Sequence, residues 1–269
     1  MTGASRNIGA VIARSLAAEG MSLVLAARSR PDLDAIAAEI AGGGGTVLAV
    51  PTDVTDAGSL KALVQAARDR FPTLDVLVNN AGTIEVGDFA ELDLAAIEAT
   101  MRVDLVAPML LSRLVLPVML AQGRGHIVNM SSLAGRFGLP GIETYCAAKA
   151  GVANFSAALR AAYRLRGVSA SAILPGYVHG AGMYQQVQDR THLPTPRAQG
   201  SSSPGAVARA VVRAIRLDLP EVVVSPRPMR PMIALQGLFP AMTERLVSTL
   251  GGNWYQRAGD ALEGRTSRP

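Results

Sequence analysis

A chain of 269 residues with 49% apolar side chains can bury most of the surface its unfolded form exposes, and its length fits one large domain better than two. The single cysteine, Cys146, excludes an internal disulfide, and no paired spacing of metal ligands occurs, so a reducing compartment, the cytoplasm by default, and no metal site are expected. The net charge of +5 comes from scattered arginines with few aromatic residues among them, which argues against a nucleic-acid surface and suits an anionic small ligand.

No run approaches the ~20 uninterrupted apolar residues of a membrane-spanning helix, and the first residues lack a charged and then apolar leader pattern, so no transmembrane segment is expected. The chain opens with Thr2-Gly3-Ala4-Ser5-Arg6-Asn7-Ile8-Gly9 and then the apolar positions Ile8, Val11, Ile12 and Leu16 of a helix that Gly20 closes. Backbone N–H groups at such a helix start can hold a pyrophosphate, although the pattern alone suits an ordinary tight turn equally well. A doubly wound sheet places a strand ahead of this turn, and here only Met1 precedes it. Either the start lies upstream of Met1, which is our expectation, or a central strand is lacking and its neighbours have no ladder partners there.

Strands are predicted at 22–27, 46–50, 74–79, 126–131, 168–174 and 221–224, most of them nearly continuous apolar runs, as strands covered on both faces should be. The first ends at Arg28, 28 − 9 = 19 residues beyond Gly9, where dinucleotide folds place the residue that reads the adenosine ribose. An acid there would accept from the 2′-hydroxyl of NAD. Arg28, with Arg6, suits the 2′-phosphate of NADP instead, so NADP(H) is expected in preference to NAD(H); the plainer alternative is two solvent-facing arginines. Leu33, Ile36, Ala37 and Ile40 form the next helix, with Pro31 in its first turn and Gly42 to Gly45 after it. Leu60, Leu63, Val64, Ala67 and Phe71 form another behind Thr55 as N-cap, and Ser203 before Pro204 opens a later one. No repeat or linker interrupts the alternation, which predicts an α/β fold: a single Rossmann-like domain, residues 1–269, with a doubly wound parallel sheet and helices on both faces.

Tyr145 and Lys149 stand four apart in a helix expected over 143–166, which places phenol and ammonium on one face. A phenol titrates near 10 until positive charge lowers it, and Lys149 supplies that charge. Ser132 follows the 126–131 strand at the carboxyl edge of the sheet, where open α/β folds bind ligands. The trio suits carbonyl reduction, with Tyr145 protonating a forming alkoxide and Ser132 stabilising its charge. A Tyr-Lys surface pair is the commoner meaning of this spacing taken alone.

Thr2-Gly3 to Gly9, Asp53-Val54, Asn79-Asn80-Ala81-Gly82, Ser132, Tyr145 to Lys149 and Pro175-Gly176 occur in the order found in the short-chain dehydrogenase/reductase family, which residues 2–225 resemble. The resemblance implies cofactor contacts from Gly3, Ser5, Arg6, Asn7, Ile8, Gly9 and Arg28, with Asp53-Val54 at adenine and Asn80, Ala81 and Gly82 at the adenosine ribose. It places Pro175 and Gly176, with Val178 just beyond and Tyr145 and Lys149 opposite, at the nicotinamide. It also implies a seven-stranded sheet and a homodimer or homotetramer built through long helices near 91–121 and 143–166. Three positions depart from the family. Asn7 replaces a glycine, a mild change because Asn tolerates unusual backbone angles. Asp104 replaces the catalytic Asn that normally holds a proton-relaying water, and its charge is expected to oppose Lys149 and raise Tyr145. Gly180 stands where a Thr usually meets the nicotinamide carboxamide.

Residues 177–203, with His179, Met183, Tyr184, His192, Pro194 and Pro196, are expected as a polar substrate lid, the histidines as solvated lid residues and Cys146 as a small packed side chain. In the extension 226–269, Met232, Leu235, Phe239, Met242 and Leu246 recur at helical intervals that Pro240 interrupts. Such a stripe usually packs on the sheet, but it can also wall an apolar pocket, join subunits or touch a membrane. A small hydrophobic ketone or alcohol, such as an acyl chain, terpenoid or steroid, is the expected substrate. An NADP-binding sensor without turnover is the alternative, and an epimerase or dehydratase would need a longer substrate domain.

Overall fold

The computed structural model describes residues 1–196 and 200–264. Positions 197–199 of the expected lid and 265–269 of the expected extension lie outside the described residues.

The elements follow the predicted alternation: α1 (Asn7–Ala18), β1 (Leu23–Ala27), α2 (Arg30–Gly42), β2 (Val47–Pro51), α3 (Ala57–Arg70) and β3 (Val76–Asn79). Then come α4 (Leu94–Met101), α5 (Ala107–Gln122), β4 (Gly125–Met130), α6 (Glu143–Tyr163), β5 (Val168–Pro175), α7 (Met183–Thr191), α8 (Pro204–Leu217) and β6 (Glu221–Val224). The chain closes with α9 (Arg230–Leu238), α10 (Pro240–Val247) and α11 (Trp254–Leu262). All ladder pairs are parallel, and the strands are covered on both sides, by α1, α2 and α8 on one face and α3, α5 and α6 on the other.

The implied seven-stranded sheet is corrected. Six strands form two sheets among the described residues, β1-β2 and β3-β4-β5-β6. The first two residues lie between them as a strand stub. Thr2 N–H donates to Val78 O (3.0 Å), Ala26 N–H to Met1 O (2.9 Å), and Thr2 bridges Ala26 in parallel register. Beyond the stub, a cavity of about 440 Å³ separates β1 from β3, lined by Leu16, Leu23, Leu77, Leu111 and Val115. Met1 N donates to Val24 O (2.6 Å) at its edge. The two halves are therefore tied by the Met1 to Ala4 backbone, by α1, and by the core that α1 and α8 share.

Two local expectations also change. The N-cap of α3 is Asp56, not Thr55: its carboxylate accepts from the N–H groups of Gly58 and Ser59, while Thr55 is held by Asp53. Ser203 caps α8 as expected. The helix expected over 143–166 ends its α-helical part at Tyr163 and finishes in a tighter turn over 164–166. The helix expected near 91–121 runs from Leu94 to Gln122 through a π-helical turn, Arg102–Val106, that carries Asp104. This helix is long and apolar enough to cross a membrane (mean hydropathy 1.8), yet Leu111, Val115 and Met119 pack it on the sheet and Asp104 faces Lys149. It is a core helix.

Candidate active site

Two connected hollows open along the carboxyl ends of the strands. The larger, about 760 Å³, is lined by Gly3, Ser5, Arg6, Asn7, Ile8, Gly9, Arg28, Asp53, Val54, Asn80, Ala81 and Gly82, every residue expected at the adenosine and pyrophosphate end. The smaller, about 150 Å³, is lined by Ser132, Tyr145, Lys149, Pro175, Gly176 and Val178, whereas Asp104 and Gly180, also expected at the reacting end, do not line it. Ile8, Asn80, Gly182 and Met183 border both hollows and join them.

The Gly-rich loop has this shape for packing reasons. A Cβ on Gly9 would lie 1.9 Å from Gly3 O, so only glycine lets α1 start beneath the loop. Asn7 takes the left-handed conformation (φ 52°), the angle at which Asn is the best replacement for glycine. The Asn80 amide donates to Thr2 O (3.1 Å) and Gly3 O (3.0 Å), and Thr2 Oγ1 accepts from the N–H groups of Asn80 and Ala81. Asn80 therefore lines the cleft while its side chain fastens the loop, and Thr2, which sequence reasoning treated only as the start of the motif, is the other half of that clamp. Asn79 bonds Asn129 (2.7 Å) and Ser112 (3.3 Å) and so steadies β3 against β4 and α5. At the far end, Arg6 and Arg28 are exposed on the cleft wall, and Arg28 together with hydrogen bonds from Thr55 holds the Asp53 carboxyl below its ordinary range, the Thr55 bonds being the larger cause.

At the reacting end, Ser132 Oγ accepts from Ala134 N–H (3.1 Å), lies 3.3 Å from Pro175 O as donor, and shares a hydrogen bond with the Tyr145 phenol. Lys149 is buried, donates to Met130 O (3.1 Å), and has its Nζ 5.4 Å from the Tyr145 ring centroid. Asp104 Oδ1 lies 3.5 Å from that Nζ and accepts from Thr83 N–H (3.0 Å), while Oδ2 is buried without a hydrogen-bond partner among the described residues. A Cβ on Gly82 would come within 2.8 Å of Asp104 Oδ1, so glycine there admits the Asp104–Lys149 pair beneath the turn.

Burial raises Tyr145 well above the ordinary phenol value, and the Asp104 charge adds to the rise, while the Ser132 hydrogen bond opposes it. The direction expected for Asp104 is therefore present, with burial as the larger cause. Burial also raises Asp104 itself, against the pull of Lys149. Cys146 is pushed up to about 11 chiefly by burial and sits as a packed thiol, not a nucleophile.

The segment expected as a lid contains more order than its composition indicated. Val178 bridges Ser202, closing its base, and α7 occupies its middle. Gly180 N–H bonds Gln185 Oε1 (2.8 Å), and its φ of 73° favours glycine. Tyr177, Tyr184, Trp254 and Tyr255 stack with centroid separations of 4.5 to 5.9 Å beside the reacting end. Sequence reasoning missed this wall, because α11 is more than 100 residues from Tyr145 and only tertiary packing brings them together. The Tyr177 hydroxyl in it is buried without a partner among the described residues. The apolar stripe is corrected from core packing: Met232 lines the smaller hollow, whereas Phe239, Met242 and Leu246 are exposed.

Residues 1–192 match the short chain dehydrogenase family, and the chain belongs to it. Its reaction class is oxidoreduction. The chain is 38% identical over 256 residues to the ketoacyl reductase HetN of Nostoc sp., covering 93% of this chain and 88% of that one. It is also 38% identical over 179 residues to a 3-oxoacyl-[acyl-carrier-protein] reductase of Synechocystis sp., covering 66% of this chain and 72% of that one. A metagenomic short-chain oxidoreductase, solved in complex with NADP, superimposes with a TM-score of 0.71 at 32% identity, covering 84% of this chain and 96% of that one.

Proposed function

We propose that this protein is an NADP-dependent reductase that interconverts a carbonyl and a secondary alcohol on an apolar substrate of the 3-oxoacyl type. The observation that carries this reading is the convergence of Ser132, Tyr145 and Lys149 on one small hollow joined to a long cleft with a helix N-terminus and two exposed arginines. The cleft's donor set fits an anionic dinucleotide: α1 presents its first N–H groups, and Arg6 and Arg28 give charge for a 2′-phosphate. Bound nicotinamide supplies the hydride. Ser132 Oγ orients the carbonyl oxygen, Tyr145 gives it a proton, and Lys149, held by Met130 O and Asp104, favours the phenolate that remains.

The acyl substrate class rests on the apolar lining (Ile84, Leu133, Phe137, Leu139, Met232), the names of the two reductases, and Tyr177. A buried hydroxyl without a partner costs about 1–3 kcal/mol, and a small shift of Tyr177, which lines the hollow, would let a second substrate oxygen supply that partner. Tyr177→Phe is expected to raise KM for a 3-oxoacyl thioester roughly tenfold and to leave a simple cyclic ketone unaffected; equal effects on both would remove the assigned contact. Leu94, Met109 and Leu110, exposed along α4 and α5, favour subunit association through these helices.

The primary test is titration with NADPH and NADH by nucleotide fluorescence, together with a panel of apolar carbonyls and sugars. NADPH is expected to bind about tenfold or more tightly than NADH, and Arg28→Ala should remove most of that difference, since a charge-assisted contact contributes about 1.5–3 kcal/mol. Equal binding of both nucleotides would overturn the NADP assignment, and turnover of sugars alone would overturn the substrate class. A sensor reading predicts binding with no turnover of any member of the panel.

A further inference from the structure

We infer that the α9–α10 hairpin is a docking surface for an anionic lipid bilayer. α9 has no buried residue, and in α10 only Thr243 and Val247 are buried, so this pair of short helices gains little from the core. From its apex along α10, Leu238 (72% exposed), Phe239 (55%), Met242 (50%) and Leu246 (38%) form a run of large exposed apolar side chains. Scattered exposed apolar residues need no explanation, but four within nine positions on one hairpin make a patch. Exposed Arg230 opens α9 and exposed Arg245 stands beside Leu246 in α10, and with Arg227 just ahead they outnumber the single acid Glu244 between positions 226 and 250. Large apolar residues flanked by arginine on a short helix are the composition of an element that lies in the interface of a bilayer containing acidic headgroups.

The charge distribution separates this occupant from the others. A symmetric contact with a second copy would set this net-positive segment, three arginines to one acid, against an identical net-positive segment, which opposes association. An acidic protein partner would satisfy the arginines but leave the four apolar side chains without an apolar counterpart. A bilayer surface satisfies both.

The inner side of the same segment reaches the reacting end. Met229, Met232, Val247 and Leu250 line the smaller hollow, so the hairpin is the wall between that hollow and the exterior. Seating it on lipid places the hollow's outer wall in the phase in which apolar molecules concentrate.

The experiment is flotation of the full chain with vesicles of phosphatidylcholine alone and of 7:3 phosphatidylcholine to phosphatidylglycerol, at physiological salt. The wild type is expected to float with the acidic vesicles at least tenfold more than with neutral ones. Leu238→Ser with Phe239→Ser should reduce flotation at least fivefold, and Arg230→Glu with Arg245→Glu should do the same. All four positions are exposed, so circular dichroism and thermal midpoints should stay at wild-type values, a control that is independent of enzymatic activity. Flotation equal with neutral and acidic vesicles, flotation unchanged in both variants, or none at all would overturn the inference. So would a stable dimer in analytical ultracentrifugation that the Leu238→Ser, Phe239→Ser variant dissociates, since that result assigns the patch to a second copy.

Discussion

Tyr145→Phe is expected to lower turnover at least ~10³-fold while NADPH affinity stays within about twofold of wild type. The substitution removes one hydroxyl from a site in which that hydroxyl is the proton donor facing the hollow, and positioned general acids contribute typically 10²–10⁴ in rate. The phenyl ring remains as part of the wall with Ile142, Tyr177 and Tyr255, so the hollow keeps its shape. Ser132 loses its bond to the phenol but keeps Ala134 N–H and Pro175 O, which limits the stability cost to about 1 kcal/mol. The nucleotide cleft lies at the other end of the site, on the loop clamped by Thr2 and Asn80, and has no contact that depends on the hydroxyl. Steady-state kinetics with NADPH fluorescence titration checks both halves. Retained turnover would mean that another group protonates the alkoxide, and Tyr177 and Cys146 are the neighbours to replace next. Lost nucleotide binding would mean that the ring, not the hydroxyl, is needed by the fold.

Much of this architecture follows from local rules that a sequence displays. The six strands were legible because parallel strands covered on both faces read as short apolar runs, and β6 begins and ends where its run does. The Ser203 cap, the Asn7 turn and the Tyr145–Lys149 spacing were legible because each depends on residues within a few positions of one another. The failures have two causes, competition between neighbouring side chains and contacts between distant parts of the chain. Asp56 displaced Thr55 as a cap because Asp53 captures the Thr55 hydroxyl and N–H, a competition between adjacent side chains that propensity cannot rank. The Tyr177–Trp254–Tyr255 wall needs the chain to return from α11 to β5, and no periodicity reports such a contact. The apolar stripe was legible as a helix face but not as an exposed one, since burial depends on whether another element covers it. The 2 + 4 division of the sheet was not legible either, because it depends on how β1 and β3 meet across Thr2, a contact between segments far apart in the chain.

The role of Asp104 gives the second large effect: Asp104→Asn is expected to move the acid limb of the alcohol-oxidation profile about one to two pH units lower. In oxidation Tyr145 must be deprotonated before it can accept the alcohol proton. Burial and the Asp104 charge both hold the phenol in its protonated form, so the limb begins well above neutrality in the wild type. Removing a unit charge from a shared site changes the interaction by on the order of 1–3 kcal/mol, which is about one to two units. Oxidation at pH 8 should therefore rise on the order of tenfold, while the loss of carbonyl reduction at high pH begins earlier, because reduction needs the phenol protonated. The variant should fold. Asn can accept from Thr83 N–H as Oδ1 does, its amide replaces the unpartnered Oδ2, and Lys149 keeps Met130 O. The other titratable groups around the phenol, Lys149, Cys146 and Tyr255, are the same in both proteins, so a shift between their profiles belongs to position 104. Paired pH–rate profiles in both directions, read as kcat and kcat/KM, provide the measurement. Superimposable profiles would show that Asp104 is protonated throughout the assay range and acts as a neutral carboxyl, already equivalent in charge to the Asn it replaces.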